Sequence, residues 1–362
     1  MIRAPHLPGL LALLLGLLSM PAVHAASVGN LYGAVVPVAD RSQPETDQGV
    51  VRALGVVLVK LTGQRSVLTG PAGRQLLKQA GRYVTVVGHE AGGTAADGYR
   101  LRVDFDARAV AAALREQGVV LWGAQRPETR AWLVLEDAQG RRLAPDPAYP
   151  DLADALREQA ARRAIPLSLG PVASDLQAHL AAAPPETVLA ALVGDTTPPV
   201  APAPVPVSAP VQAPLLAGVL DTTDGLAWRG RWRLVIEGVA TDWENSADTP
   251  AALVADGVDR AADALGRHFA DPAVFGGSVA SFPLSVQGIA TASDYGRVVS
   301  LLRGLDAVMA LGVMRVAGTE VTFDVAARGG LPALAQSLRL TSQLVPDPAR
   351  PGAYALNPAR GP

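Results

Sequence analysis

Apolar residues recur along this chain with two periods, one typical of helices and one typical of strands. Over residues 43–61, valines and leucines return every three to four positions, which predicts a helix that ends at Gly63. Over residues 99–105 they alternate with polar residues, which predicts a half-buried strand, and Asp106 is placed to cap the next helix. Because strands and helices alternate, the predicted fold class is α/β (α+β), built from small two-layer units.

The first predicted unit covers residues 26–124 and has the order β-α-β-β-α-β with one extra helix. Its strands are predicted at residues 31–38, 83–87, 99–105 and 119–122, and its helices at residues 43–61, 72–80 and 107–117.

A middle α/β domain is predicted over residues 125–272. Its elements are a strand at 131–135, helices at 151–163, 175–182, 186–193 and 250–269, a short segment at 165–169, and a hairpin of 215–220 with 228–237. Residues 197–214 form a Pro/Ala-rich insertion that cannot sustain a helix or an interior strand. We interpret it as a surface insertion, and the alternative is a docking site for a partner that binds proline-rich segments.

The C-terminal unit, residues 273–345, repeats the order β-α-β-β-α-β and is predicted to be ferredoxin-like. Residues 346–362 are rich in proline and glycine and are predicted to form a flexible tail. The unit's strands are predicted at residues 279–286, 308–316, 320–325 and 341–344, and its helices at residues 293–304 and 331–338.

The amino terminus has the three-part pattern of a secretory signal peptide. Arg3 precedes an apolar block of about 12 residues, and small residues precede a predicted cleavage site after Ala25. A membrane-spanning helix needs roughly 20 apolar residues, so we expect cleavage rather than the alternative of a retained anchor. We then expect a periplasmic location and no stable membrane span. The chain has no cysteine, which excludes both a lipid anchor on cysteine and disulfide bonds.

Net charge and the motifs present or absent reduce the number of function classes that the sequence supports. The formal net charge of −2 lacks the basic excess typical of nucleic-acid binding. The sequence has no glycine-rich phosphate loop, no Gly-x-Ser-x-Gly motif and no cysteine nucleophile, so we expect no cofactor. His89, His179 and His268 lack metal-ligand spacing to one another.

Two carboxylate pairs could carry chemistry. Asp104 and Asp106 flank Phe105 and could bind a cation or share acid–base duty, although a solvated strand face and a helix cap explain them more simply. Asp221 and Asp224 bracket a predicted turn, where aspartate is common.

Three alternating arginines form the best candidate contact surface. Arg229, Arg231 and Arg233 would share one face of a strand, with Trp228 and Trp232 on the other. Such a row could hold an anionic polymer, a lipid headgroup or a partner's carboxylates. The alternative is a solvated sheet face whose arginines pair with acidic neighbours.

Several sequence segments resemble the proteobacterial envelope family catalogued as domain of unknown function 2066. They are VLVKLTG (57–63), LWGAQRP (121–127), WLVLED (132–137), GRWRL (230–234), SDYGRV (293–298) and RGGL (328–331). The resemblance implies an envelope protein, with no catalytic residues to transfer. The middle region is also similar, in strand and helix order, to the amino-terminal domain of TolB and to outer-membrane penicillin-binding-protein activators, which act by contact.

Together these patterns predict a non-catalytic binding or accessory factor of the cell envelope, with other envelope proteins as its partners. Two alternatives remain open. One is a carrier of a small or lipidic ligand, and the other is an envelope hydrolase that uses carboxylates such as Asp104 and Asp106.

Overall fold

The structure, a computed structural model, describes residues 25–27, 30–91, 99–146, 149, 151–169, 187–193, 213–222, 227–270, 277–341 and 343–357. The predicted leader up to residue 24, the helix predicted at 175–182 with His179, most of the Pro/Ala-rich insertion, and Asp224 lie outside these residues. The described residues form mixed helices and sheets, which confirms the predicted α/β class.

The N-terminal unit is a three-stranded antiparallel sheet packed against helices. The strand order is β2-β4-β3. A short strand, β1, pairs instead with β5, which lies just beyond this unit. The elements are β1 (Ala25–Ser27), β2 (Gly33–Val38), α1 (Gln43–Thr62), α2 (Pro71–Lys78), β3 (Val84–Ala91), β4 (Tyr99–Phe105), α3 (Ala107–Glu116) and β5 (Gln125–Pro127).

Local signals set the helix ends in this unit. Ser42 caps α1, and Gly63 ends it in the left-handed conformation with φ of 69°, as predicted. Asp106 caps α3, also as predicted. The strand predicted at residues 119–122 is absent. Trp122 is buried there, and its backbone N–H donates to the Leu61 carbonyl at the end of α1 (2.6 Å), so helix packing orders this segment.

The middle unit is a mixed six-stranded sheet with helices on both faces. Strands β11-β10-β9-β6-β7 lie side by side, and β8 shares the outer edge of β6 with β7. β6 and β9 run parallel. The elements are β6 (Thr129–Asp137), β7 (Gly140–Leu143), α4 (Asp151–Arg162), β8 (Leu167–Leu169), α5 (Val188–Val193), β9 (Leu215–Asp221), β10 (Trp228–Ile236), β11 (Val239–Ala247) and α6 (Pro250–Phe269).

Two strands of this sheet, β7 and β11, were not predicted. α4 and α6 cover one sheet face and α5 contacts the other, so the sheet lies between two small cores.

The C-terminal unit contains the two predicted β-α-β crossovers, with one difference at the sheet edge. Its strand order is β13-β14-β12-β16-β15. The elements are β12 (Val279–Gln287), α7 (Ala292–Arg303), β13 (Val308–Ala317), β14 (Glu320–Arg328), α8 (Gly330–Arg339), β15 (Leu344–Pro346) and β16 (Ala353–Leu356).

The difference concerns the predicted flexible tail, which supplies a strand. β15 and β16 form an antiparallel hairpin, and β16 lies between β15 and β12, running parallel to β12. An all-antiparallel ferredoxin-like sheet would place a single antiparallel strand there. Tyr354 and Leu356 of β16 are buried in the core of this unit, which explains why residues past 346 join the sheet.

Close packing of Trp232 fixes the middle core. The indole is fully buried and its Nε1 donates to Asn245 Oδ1 on β11 (2.8 Å). Gly257 on α6 lies against the ring, and a Cβ there would stand 2.3 Å from it. The helix can approach the sheet this closely only because residue 257 has no side chain.

We therefore expect Gly257→Ala to destabilise the protein by about 1–3 kcal/mol, because the added methyl group overpacks the core. Gly296→Ala is a matched control, since Gly296 is also helical but a Cβ there would meet nothing within 4 Å. The control should be neutral or stabilising by up to about 1 kcal/mol, because alanine is the better helix former. Urea unfolding of the two variants measures both effects, and equal destabilisation would contradict this packing.

Candidate functional site

The predicted arginine row lies on β10 in the middle sheet. Arg229, Arg231 and Arg233 alternate with Trp232, which is buried on the opposite face. β10 pairs with β9 along one side and with β11 along the other.

Two of these arginines are ion-paired within their own sheet. Arg233 donates from Nε and Nη2 to both carboxylate oxygens of Asp242 on β11, each at 2.7 Å. Because of this pair, the pKa of Asp242 is lowered and that of Arg233 is raised. Arg231 Nη2 lies 3.8 Å from Glu136 Oε2 on β6. The alternative prediction, a sheet face whose arginines pair with acidic neighbours, therefore holds for Arg231 and Arg233.

The candidate carboxylates Asp104 and Asp106 have separate local partners. Asp104 Oδ1 accepts a hydrogen bond from Asn30 Nδ2 (2.6 Å). Asp106 Oδ1 accepts from the backbone N–H groups of Arg108 and Ala109 (2.9 and 3.0 Å) at the start of α3. Each carboxylate thus stabilises the chain around it.

The described histidines are also placed apart. His89 Nε2 lies 3.2 Å from Thr46 Oγ1, and His268 Nε2 lies 3.2 Å from Glu237 Oε2. Asp221 ends β9, in register with Arg229. Across the residues that the structure describes, no three His, Cys, Asp or Glu side chains are grouped to hold a metal ion.

Sequence reasoning missed the most unusual side chain of the structure, Arg126. Its guanidinium is fully buried in β5, where the N-terminal and middle units meet. It donates five hydrogen bonds to backbone carbonyls, those of Gly123 (3.1 Å), Arg163 (3.0 Å), Ala164 (2.9 Å), Trp122 (3.2 Å) and Lys60.

The electrostatics of Arg126 involve all three units. Burial lowers the pKa of Arg126 to about 9, and the charge of Asp306 in the C-terminal unit opposes that shift. Asp306 Oδ2 accepts from the Ala124 N–H (2.7 Å), and burial raises the pKa of this carboxyl. The guanidinium also lies over the Trp122 ring, 4.1 Å from its centroid. Carbonyl dipoles, a ring and one carboxyl thus surround a buried charge.

A second arginine cluster adjoins the first. Arg163, only 3% exposed, donates to Asp259 Oδ1 (2.9 Å) and Asp263 Oδ1 (2.6 Å) on α6 and to the Gly63 carbonyl (2.9 Å). Arg65 Nε donates to Asp263 Oδ2 (2.9 Å). The N-terminal unit is thereby bound to α6 of the middle unit. We call the contact made by residues 60–65, 122–126, 163–164 and 259–266 the joint.

Two glycines allow the helices to meet at the joint. Gly63 has positive φ, and a Cβ on it would stand 2.7 Å from both the Gly266 Cα and the Trp122 ring. A larger residue at either glycine would separate the end of α1 from α6.

An open groove of about 530 Å³ lies beside the joint. Its walls come from the end of α1, the start of α2, the segment after α3 and the end of α6. The apolar lining residues are Val67, Pro71, Ala72, Val119, Val120 and Ala270. Arg267 is the charged residue of this lining.

Comparisons with known proteins identify one similarity. The family model described as Domain of unknown function (DUF8605) matches residues 25–123, just over a quarter of the chain. The match covers the N-terminal unit and ends at Gly123, before Arg126. No curated protein and no solved structure matches the chain.

This finding corrects the resemblance drawn from the sequence. The matching family is a different domain of unknown function from number 2066, and no family related to TolB is found. The segments behind the expectation mostly mark helix ends and buried strands, which unrelated α/β folds share. None of the helices in the described part of the chain is long and apolar enough to cross a membrane.

Asp263 gives a pH test of the joint. Burial acts to raise the pKa of this carboxyl, but hydrogen bonds from Arg163 and Arg65 outweigh it and hold the pKa below its ordinary value. An acid with a lowered folded-state pKa stabilises the fold above its unfolded pKa, near 3.9, and loses that effect as the pH falls through the folded value.

We therefore expect Asp263→Asn to cost about 1.5–3 kcal/mol at pH 7, the usual contribution of a hydrogen bond to a charged group. The difference from the wild type should shrink as the pH falls below about 4. Denaturant unfolding at a series of pH values measures it. Glu158→Gln, at an exposed pair with Arg162, is the control and should cost less than about 1 kcal/mol. A deficit that is independent of pH would refute the ionic role of Asp263.

Proposed function

We propose that this chain is an exported protein of the cell envelope that binds another envelope protein and catalyses no reaction. The amino-terminal pattern supports export, because a short apolar block follows a basic residue and precedes small residues up to Ala25. The absence of cysteine is compatible with folding in an oxidising compartment without mispaired disulfides.

The observation that carries the binding function is the groove beside the joint. Its walls belong to two units, and the joint holds those units together through Arg126 and Arg163. A groove built this way has its shape before any partner arrives, which reduces the entropic cost of binding.

The lining indicates the chemistry of the occupant. Six apolar residues, one arginine and four uncharged polar residues (Thr62, Gln64, Ser66 and Gln117) fit an extended, largely apolar peptide segment that bears a carboxylate. The groove is partly open to solvent, so a peptide can lie in it without being enclosed.

A carrier function is the second candidate, and the groove volume supports it. About 530 Å³ falls within the roughly 300–1,000 Å³ usual for small-molecule sites. Such sites bury most of the ligand surface, whereas this groove is open, which favours the peptide.

The other sequence-based candidates have less support. Asp104 and Asp106 have separate structural partners, so we do not propose a hydrolase. Arg229, Arg231 and Arg233 stay a predicted contact face, of which Arg231 and Arg233 already contact carboxylates of the same sheet.

Site-specific photocrosslinking in living cells tests the proposal. We expect a photoreactive residue at Val120, in the groove wall, to crosslink to another protein in the periplasmic fraction. The crosslinked form of this chain should begin at Ala26, after removal of the predicted signal peptide. The same residue at Val239, which is exposed on β11, is the matched control and should capture none. Arg267→Glu should weaken the crosslink by charge reversal, whereas Arg157→Glu, at an exposed position of α4, should not.

Three outcomes would contradict parts of this proposal. Equal crosslinking at Val120 and Val239 would remove the groove as the binding site. An adduct of small-molecule mass at Val120 would favour the carrier. An uncleaved chain confined to the cytosol would exclude the envelope role.

A further inference from the structure

The edge strand of the C-terminal sheet, β13, is unusually apolar and exposed. It pairs with β14 along one side and is the last strand in its sheet among the described residues. Four apolar side chains on it are 48–65% exposed, namely Met309, Val313, Met314 and Val316. An exposed strand edge of this kind is a template for adding another strand.

Three other sheet edges in the described part of the chain carry features that discourage strand addition. β11 carries Asp242 and Glu244, β2 carries Pro37 and β15 carries Pro346. Charges and prolines at an edge oppose pairing with a further strand. β13 has one charged residue, Arg315, in ten.

β13 has two β-bulges, and the residues at these bulges do not protect the edge from pairing with another strand. The register with β14 shifts between Val308 and Ala310 and again between Val313 and Arg315, which leaves Met309 and Met314 as the extra residues. Such bulges can twist an edge away from partners. Here the extra residues are exposed apolar side chains, which water solvates poorly.

We propose that β13 pairs with β13 of a second copy of this chain, antiparallel about a two-fold axis at Val313. A two-fold contact uses the same surface on both copies, so the strand must be complementary to its own reversed sequence. This inference is independent of the groove and of its proposed partner.

The sequence of β13 is complementary to its reverse in size. Pairing about Val313 places Met314 opposite Gly312 and Val316 opposite Ala310. Met309 then lies opposite Ala317. Three of the four large exposed side chains, those of Met309, Met314 and Val316, thus meet a small residue, and Val313 meets Val313 of the other copy. Cross-strand pairs are the unit of sheet stabilisation.

Charge is also compatible with self-pairing. In this register Arg315 lies opposite Leu311 of the other copy. The two Arg315 residues are four positions apart along the strand, roughly 14 Å at about 3.4 Å per residue. That separation exceeds the Debye length of about 8–10 Å in physiological salt, so the two charges barely repel each other. A second copy can thus cover the apolar edge while the two Arg315 charges stay apart.

Sedimentation of the purified protein over a series of concentrations tests the proposal. We expect a species of twice the monomer mass that dissociates on dilution. Val313→Lys and Met314→Lys should each weaken the dimer by about tenfold or more, because a lysine at the edge opposes strand pairing. Val239→Lys is the control, since Val239 is at least as exposed as Val313 and Met314 and lies on a different edge strand, and it should leave the dimer unchanged.

A cysteine crosslink tests the register. The natural chain has no cysteine, so a disulfide in a single-cysteine variant reports on that position alone. Val313→Cys should form disulfide-linked dimers under mild oxidation, because directly opposite residues on antiparallel strands lie within disulfide reach. Val239→Cys should not.

The following results would overturn the proposal. One is a protein that stays monomeric at every concentration, and another is a dimer that both lysine variants leave intact. Circular dichroism of each variant shows whether it is folded, and Met314→Lys replaces Val313→Lys if the latter fails to fold. Equal crosslinking of Val313→Cys and Val239→Cys would also count against this contact.

Discussion

The buried guanidinium of Arg126 is the contact on which the arrangement of this molecule depends. A charge removed from water costs several kcal/mol unless dipoles or counter-charges replace the lost solvation. Here the carbonyls of Lys60, Trp122 and Arg163 supply much of that replacement, with Asp306 as the nearby acid. These groups come from all three units. The need to solvate the buried Arg126 charge therefore constrains how the units pack against one another.

The joint also explains how a chain without disulfides keeps its units in place. Gly63 and Gly266 let α1 and α6 touch, and Arg163 links the Gly63 carbonyl to the carboxylates of α6. The contact at the joint also sets the shape of the groove beside it, because the groove walls belong to the elements that meet there. Its proposed binding function and the fixed geometry of the units therefore rest on the same few side chains.

The sequence correctly predicted the secondary-structure elements that depend on residues close together in the chain. The helix Pro250–Phe269, the stop at Gly63 and the Asp106 cap are confirmed, since periodicity and capping are set by neighbouring residues. β11 was missed because a half-exposed edge strand with Asp242 and Glu244 lacks an apolar pattern. The sequence of residues 119–122 is typical of a strand, but the backbone there bonds to the end of helix α1, through Trp122 N–H and the Leu61 carbonyl, instead of pairing in a sheet.

The joint could not be predicted in the same way. The carbonyl partners of Arg126 include residues 60 and 163, which only the folded chain brings together. A partial signal existed in the spacing of Asp256, Asp259 and Asp263, which places three acids along one side of a predicted helix. Their arginine partners, Arg65 and Arg163, lie far away in sequence. The row at Arg229, Arg231 and Arg233 was easier to see because alternation on one strand is local.

Calorimetric unfolding of Arg126→Met, compared with the wild type, tests the central role of this side chain most directly. Methionine fills similar space but leaves the carbonyl oxygens without this donor, so we predict a loss of about 3–5 kcal/mol. We also predict that the wild type unfolds in one transition and the variant in separate transitions. Arg157→Met, at a position whose side chain is 61% exposed, should change little. An Arg126→Met protein that unfolds in one transition with wild-type stability would contradict the account.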